Sequence, residues 1–223
     1  MRIAGALAAL FVAGCATQVK DTSHTFRTVV IDPGHGGRDS GTVSRRGMAE
    51  KNAVLDVAFR LDDKLRAAGF HTVMTRERDV FVPLNRRAEI SNSQRNAIFV
   101  SIHFNDSPRR AVHGVETYYR SNVATGIADR IQQKLVTMPA VSNGGVRHAN
   151  YRVLRLATYP AVLVECGYFS NRNEARRCAM DGYREEVANK ITEALVEQRY
   201  GPNYHREEPT QIATAAATPA PLQ

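Results

Sequence analysis

The chain has 223 residues, of which 43% are hydrophobic and 23% are charged, and its formal net charge is +8. This length and composition predict one globular domain with a hydrophobic core and short appendages. Three cysteines without a Cys-x-x-Cys pair are too few for a disulfide framework and argue against a thiolate zinc site, although Cys166 and Cys178 would allow one bridge.

Residues 1–14 are predicted to be a lipoprotein signal peptide. Arg2 precedes an apolar stretch that is too short for a permanent membrane-spanning helix but suits the hydrophobic region of a signal peptide. The stretch ends in Val12-Ala13-Gly14-Cys15, which resembles a bacterial lipobox. We therefore expect lipidation of Cys15 and a lipidated tether over residues 15–26. An ordinary signal peptide or a buried N-terminal helix is the alternative.

If the chain is exported in this way, we expect it in the cell envelope, anchored to a membrane through Cys15. In a bacterium with two membranes, Ala16 indicates the periplasmic face of the outer membrane. The positive charge fits an anionic partner such as a cell-wall polymer or a phospholipid surface. Nucleic acid would fit the charge equally well in a cytosolic chain, but in an exported chain we expect no nucleic-acid partner.

Strand and helix patterns alternate along the domain predicted for residues 27–200. Short apolar runs predict strands at Thr28–Ile31, Phe70–Met74, Ala97–Ile102, Val115–Tyr119 and Ala161–Val164. Apolar residues at helical spacing predict helices near Val54–Ala68, Leu84–Ser93, Ala124–Leu135 and Tyr183–Leu195. This alternation predicts an α/β domain with a mostly parallel twisted sheet flanked by helices on both faces. Residues 201–223, rich in Ala, Thr and Pro, predict a disordered tail.

Four residues with metal-binding or acid–base side chains lie at the ends of these predicted strands and helices. His35 and His103 each come at the end of a predicted strand, and Glu165 closes another. Glu50 opens the first helix. Because the functional crevice of an open α/β sheet lies beyond the carboxyl ends of its strands, these side chains are expected to converge there.

Two imidazoles and one carboxylate suit a catalytic zinc ion with one coordination position left for water. The same ligand set also suits non-haem iron, and spacing does not separate the two metals. A histidine at a strand end is also often a hydrogen-bonded core residue without a metal.

The motifs around these residues resemble a known family. The matching segments are Ile31-Asp32-Pro33-Gly34-His35-Gly36-Gly37, Glu50-Lys51-Asn52, Ser101-Ile102-His103-Phe104-Asn105, Gly114–Tyr119, Gly145-Val146-Arg147 and Pro160–Asn171. Over about Val29–Leu195 the chain resembles the zinc-dependent N-acetylmuramoyl-L-alanine amidases often called amidase type 3. The resemblance implies that His35, Glu50 and His103 bind Zn²⁺ and that Glu165 is the catalytic carboxylate. The implied substrate is the amide between muramic acid and L-alanine in peptidoglycan, cleaved in cell-wall remodelling or cell separation.

Two rival functions stay open: a non-catalytic peptidoglycan-binding lipoprotein, and a zinc peptidase that cuts another wall peptide bond. Some family members carry a long inhibitory helical insertion, which the interval Arg120–Gly144 is too short to hold, so we expect no autoinhibition of that kind. A monomer is expected, and no activator is identified. Side chains with unassigned roles are Asn105, His113, Arg147 and His148, which are candidates for the groove, and Arg76, Arg87 and Glu116, which match family positions or form an ion-pair network behind the sheet.

Overall fold

The computed structural model describes residues 18–45 and 47–204. The predicted signal peptide, Cys15 and most of the predicted tail lie outside these residues. The strands are β1 (Thr28–Pro33), β2 (His71–Met74), β3 (Ala97–Asn105), β4 (Val115–Tyr119), β5 (Asn143–His148) and β6 (Ala161–Tyr168). The helices are α1 (Glu50–Ala67), α2 (Leu84–Asn92), α3 (Thr125–Leu135), α4 (Arg152–Arg155), α5 (Arg172–Cys178) and α6 (Asp181–Tyr200), with a 3-10 turn at Asn122–Ala124.

The described strands form one six-stranded sheet in the order β2-β1-β3-β6-β4-β5. Strands β2, β1, β3 and β6 are parallel to one another, β4 runs antiparallel to β6, and β5 is parallel to β4. The expectation of a single α/β domain with a mostly parallel sheet is confirmed. The carboxyl ends of β1, β3 and β6 therefore meet at one edge of the sheet.

Helices cover both faces of this sheet, as expected. Alternate residues of each strand point to opposite faces, so Val29 and Ile31 belong to the larger core with α1, α3 and α6. Val30 and Phe99 belong to the smaller core on the other face, with Val153 of α4. His103 and Glu165 follow Phe99 and Leu163 at even spacing, which places them at the end of the smaller core.

Three short elements were not predicted. Strand β5 is a partly exposed edge strand containing Gly144 and Gly145, and glycine weakens the sequence signal for a strand. Helix α4 is only four residues long, and α5 is a seven-residue, arginine-rich helix. Elements this short carry too little periodicity to be recognised.

The residues next to the domain pack more closely than the tether and tail predictions imply. The Phe26 ring is fully buried and stacks on Phe70 at 5.4 Å, and the Thr22 hydroxyl donates a hydrogen bond to the Ala97 carbonyl at 2.6 Å. Tyr204 stacks on Tyr200 of α6 at 4.3 Å. Residues 18–26 thus lie against the amino-terminal edge of the sheet because aromatic burial outweighs their polar composition.

Cys166 and Cys178 are both buried and both free thiols. Burial raises the pKa of each thiol, so both stay protonated. Cys166 packs as a small apolar residue in the larger core, as predicted. In the described part of the chain, no helix has the length and apolar character needed to span a bilayer.

Candidate active site

Three ligand-type side chains converge at the carboxyl edge of the sheet. His35 lies just beyond β1, Glu50 is the first residue of α1, and His103 lies near the end of β3. Oε1 of Glu50 is 3.0 Å from Nε2 of His35 and 3.2 Å from Nδ1 of His103. One ligand atom from each of the three residues lies within 4.8 Å of the other two. The structure therefore brings together the three residues predicted to bind metal.

The carboxylate and imidazole groups are oriented by fixed partners. Oε1 of Glu50 accepts the Phe104 N–H at 2.9 Å, and Oε2 accepts the Thr42 N–H at 3.0 Å. Nδ1 of His35 lies 3.0 Å from Oδ1 of Asp39. A carboxylate on the far nitrogen of a metal-binding histidine fixes the orientation of the ring and raises its basicity.

The turn that carries His35 is held by two buried arginines. His35 has a φ of 58°, an uncommon backbone conformation for a residue with a side chain. Arg76 donates to the carbonyls of Pro33 and Gly34 at 3.0 and 2.7 Å. Arg87 donates to the carbonyls of Pro33 and His35 at 2.7 and 2.5 Å. These bonds fix three successive carbonyls and so stabilise the strained turn.

Asp32 anchors the same turn from within the sheet. Its carboxylate is 1% exposed and accepts hydrogen bonds from Thr75 at 2.5 Å, Ser101 at 2.7 Å and Arg87 at 2.7 Å. A buried ion pair tolerates burial only when its remaining donors and acceptors are satisfied, as they are here. Arg76 and Arg87, whose roles the sequence left open, therefore support the His35 turn and do not form an ion-pair network behind the sheet.

Gly34 permits the close approach of His103 to this turn. A Cβ atom at position 34 would overlap the His103 imidazole ring. The two histidine rings meet edge to face with their centroids 4.9 Å apart. The glycine in the Pro33-Gly34-His35 motif is therefore needed for the geometry of the site.

Glu165 lies across the cavity from Glu50. It pairs in register with His103 on β3 and with Glu116 on β4. It is 8% exposed, and its Oε2 has no hydrogen-bond partner among the described residues. Burial, together with the negative charges of Glu50 and Glu116, raises the pKa of the Glu165 carboxyl well above its ordinary value.

Glu116 is held more firmly than its neighbour Glu165. Its Oε2 accepts hydrogen bonds from Asn105 at 2.9 Å, from Tyr118 at 2.7 Å and from Tyr168 at 3.1 Å. Its Oε1 lies 3.0 Å from a guanidinium nitrogen of Arg147. The structure therefore places Glu116 beside Glu165 but outside the cavity lining, and Arg147 acts as its counter-ion.

The cavity around these groups has a volume of about 530 Å³. Besides the predicted residues, its walls include two aromatic side chains that were not predicted, Phe81 and Tyr151, which are 40% and 42% exposed. Tyr151 packs edge to face on Tyr118 at 5.2 Å. Both rings lie in or beside loops without hydrophobic periodicity, so their only signal in the sequence is an aromatic residue in a polar segment.

Two of the proposed groove histidines lie elsewhere. His113 is exposed and lies 2.8 Å from the Ala111 carbonyl, and His148 is exposed beside Arg120. Neither lines the cavity, whereas Asn105 does. Among the described residues, only His35, Glu50 and His103 form a group of the metal-binding type.

Glu50 is held in its ionised form, which favours a bound cation, whereas His35 must release its proton to bind one. Burial opposes ionisation of Glu50, but hydrogen bonds from His103 and His35 outweigh it and lower the Glu50 pKa to about 2. Burial likewise opposes protonation of His35, but Glu50 and Asp39 raise its pKa. An ionised carboxylate between two imidazoles, with a second carboxylate unpartnered across the cavity, is a donor set that fits Zn²⁺.

Two known amidases are similar to this chain in sequence. The chain is 34% identical to the N-acetylmuramoyl-L-alanine amidase LytC of Bacillus subtilis over 173 residues, which are 76% of this chain and 35% of LytC. It is 30% identical to the N-acetylmuramoyl-L-alanine amidase AmiC of Neisseria meningitidis serogroup B, over 77% of this chain and 52% of AmiC. The chain thus spans about a third to a half of the length of these two relatives.

A solved amidase structure is similar to this chain in fold. The N-acetylmuramoyl-L-alanine amidase AmiC2 of Nostoc punctiforme superposes with a TM-score of 0.73 at 36% identity, over 76% of this chain and 95% of that one. The sequence pattern of the family described as N-acetylmuramoyl-L-alanine amidase matches residues 29–197. The expected resemblance is confirmed, and the chain belongs to the N-acetylmuramoyl-L-alanine amidase family.

Proposed function

We propose that this protein hydrolyses the amide between N-acetylmuramic acid and L-alanine in peptidoglycan, with Zn²⁺ held by His35, Glu50 and His103. One observation carries the proposal. The unpartnered carboxylate of Glu165 faces a compact His-Glu-His group in one cavity, in a chain of an amidase family. Family membership supports the reaction, and the donor set supports the metal.

Zinc bound at such a site polarises a carbonyl and lowers the pKa of water. The residues of the chain supply the rest of the chemistry. Glu165 takes a proton from the attacking water as general base and returns one to the departing alanine nitrogen as general acid. Its lack of a hydrogen-bond donor leaves an oxygen free for this exchange.

The surrounding side chains keep Glu165 available for this role. Glu116 lies opposite Glu165, but its Oε2 already accepts hydrogen bonds from Asn105, Tyr118 and Tyr168, which leaves Glu165 as the carboxylate with an unpartnered oxygen. The aromatic rings of Phe81 and Tyr151 line the cavity and offer apolar faces to a bound sugar or lactyl group.

The reaction is tested by incubating the purified full-length chain with peptidoglycan, before and after chelation, and identifying released fragments by mass spectrometry. Free stem peptides beginning with L-alanine are expected, with release lost on chelation and restored by zinc. Release at another peptide bond would show a zinc peptidase instead. Restoration by ferrous iron but not by zinc would identify the alternative metal.

The same preparation tests the non-catalytic rival. A chain that contains zinc and binds peptidoglycan, yet releases no fragment, would be a binding protein rather than an amidase. Metal content measured on the preparation keeps that outcome distinct from simple loss of the ion.

We further propose that Cys15 is lipidated and anchors the enzyme in the cell envelope, at the periplasmic face of the outer membrane where two membranes are present. The lipobox-like Val12-Ala13-Gly14-Cys15 supports this. Cys15→Ser should move the protein from the membrane to the soluble fraction. Cys166→Ser is the control and should fractionate like the parent chain. Unchanged membrane fractionation of Cys15→Ser would exclude the anchor.

Absence of self-inhibition is proposed on the position of α3. This helix packs against α6 and carries Ile127 and Ile131 into the larger core, on the face away from the cavity. The purified chain should therefore cleave without an activator. An inactive chain that gains activity only when a second envelope protein is added would contradict this.

A further inference from the structure

A second pocket, of about 360 Å³, is lined by residues different from those that line the cavity of the candidate metal site. Three arginines line it: Arg45, Arg172 and Arg176. The other residues that line it are Phe169, Ser170 and Ala175. It combines positive charge with an apolar floor, and neither the metal ligands nor Glu165 belong to it.

The three arginines are free of counter-ions. None of their side chains forms an ion pair or hydrogen bond with any residue in 18–45 or 47–204. Exposed arginines without partners occur elsewhere on the surface, for example Arg95. What distinguishes this group is that three unpaired guanidinium groups share one concave pocket.

Their arrangement is electrostatically unfavourable without a ligand. Arg172 and Arg176 are four residues apart on α5, so they are neighbours on one helix face, where like charges destabilise the helix. Arg172 is also the first residue of α5, where the helix dipole disfavours a cation. An anion bound in the pocket would offset both effects.

This pocket shares a wall with the candidate metal site. The Phe169 ring packs on Phe104 with centroids 4.8 Å apart, and the Phe104 N–H donates to Glu50. On the other side, Thr42 donates to Glu50 and precedes Arg45 by three residues. A substrate whose scissile amide lies at the metal can therefore extend one of its two halves into the arginine pocket.

We propose that this arginine pocket binds a carboxylate of the peptide half of the substrate, an inference that rests on the amidase function proposed above. Guanidinium groups pair with carboxylates through charge-assisted hydrogen bonds. Phe169 and Ala175 offer apolar contact to the aliphatic part of a peptide side chain. The sugar half then lies in the cavity that Phe81 and Tyr151 line.

The test compares two synthetic ligands that differ only in charge. One is an N-acetylmuramoyl tripeptide with free carboxylates on its second and third residues, and the other has these carboxylates amidated. Binding is measured by calorimetry on the zinc-loaded full-length chain carrying Glu165→Gln, which keeps the ligand intact. The free acid should bind roughly fivefold more tightly than the amide at low salt, and the difference should shrink as salt rises.

Arginine variants test whether the preference for the free acid arises in this pocket. In the chain carrying Glu165→Gln, the further changes Arg172→Gln and Arg176→Gln should abolish that preference. The control changes Arg27→Gln and Arg95→Gln, two exposed arginines at the opposite edge of the sheet, and should keep the preference although the net charge is the same. Equal binding of the two ligands by the parent chain, or an unchanged preference in the pocket variant, would overturn the proposal.

Turnover separates this proposal from the amidase function. In the chain with Glu165 intact, the pocket variant should raise KM for the free acid and leave kcat nearly unchanged. If neither ligand is cleaved but the binding difference persists, the amidase function fails and the pocket stands. If the pocket variant instead loses only its binding to phosphatidylglycerol vesicles, the pocket binds a lipid headgroup and the peptide proposal is wrong.

Discussion

Glu50 and Glu165 are buried in the same cavity, yet their surroundings differ. Glu50 receives backbone N–H groups on both oxygens and has an imidazole on either side, and its pKa falls to about 2. No described residue donates a hydrogen bond to Oε2 of Glu165, and the pKa of its carboxyl is raised. The comparison shows how different surroundings in one cavity favour ionisation of the Glu50 carboxyl and oppose ionisation of the Glu165 carboxyl.

The two sides of the cavity also differ in the contacts that hold their functional side chains in place. On the Glu50 side, Arg76, Arg87 and Asp32 fix the backbone that carries His35. On the Glu165 side, β6 is held between β3 and β4, but the Glu165 Oε2 atom has no hydrogen-bond partner among the described residues. Substitutions on the two sides should therefore fail in different ways.

The largest effect is expected for His35→Ala. Removal of one of three ligands should release zinc and reduce cleavage of peptidoglycan to background. Metal content and activity are measured on the same sample. His113→Ala, a histidine outside the cavity, should leave both unchanged. Full zinc content in His35→Ala would remove His35 from the metal site.

Glu165→Gln should separate metal binding from chemistry. The ligands remain, so zinc content should be normal, whereas kcat should fall by about 10²–10⁴-fold because the proton acceptor is lost. The exposed Glu193→Gln is the control. Near-normal turnover in Glu165→Gln would mean that the contrast between the two carboxylates has no catalytic meaning.

Arg87→Met should act on stability rather than on proton transfer. It leaves the Asp32 carboxylate buried without its cation, and the free energy of unfolding should fall by about 3–5 kcal/mol. Denaturant unfolding measures the loss. Arg86→Met, at an exposed neighbouring arginine paired with Glu89, should cost less than about 1 kcal/mol. Equal losses would show that the ion pair does not support the His35 turn.

Glu116→Gln should produce the smallest change. It removes a negative charge that raises the pKa of Glu165, so the basic form of Glu165 persists to lower pH. The acid limb of the kcat/KM profile should therefore move to lower pH, by less than about one unit. Tyr118→Phe removes a hydrogen bond to Glu116 but keeps the charge, so its acid limb should stay in place. A shift toward higher pH would contradict the assigned coupling.

The sequence was sufficient for the parts of the fold with strong periodicity. The core strands and the helices α1 and α6 combine long apolar patterns with clear ends, and the strand-end rule brought His35, His103 and Glu165 to one edge. The glycine-containing edge strand β5 and the short helices α4 and α5 have no such pattern. The role of Arg87 was also hidden, because its partner Asp32 is 55 residues away in sequence.

The arginine pocket shows the same limitation. The pairs Arg45-Arg46 and Arg176-Arg177 look alike as solvated surface residues in the sequence. In the structure, Arg177 pairs with the buried Glu174, whereas Arg176 faces the pocket with Arg172 and Arg45. Only the folding of α5 against β6 separates these two neighbouring arginines.

The position of residues 18–26 has a consequence for reach. Thr22 is bound to Ala97 at the start of β3, whereas His103 lies six residues farther along that strand, about 20 Å away at the rise of a β-strand. Any surface that holds the chain through the residues before Gln18 would therefore lie beneath the sheet, with the cavity facing outward. The domain itself would act as a spacer. It would present the cavity to the space above that surface rather than to the surface itself.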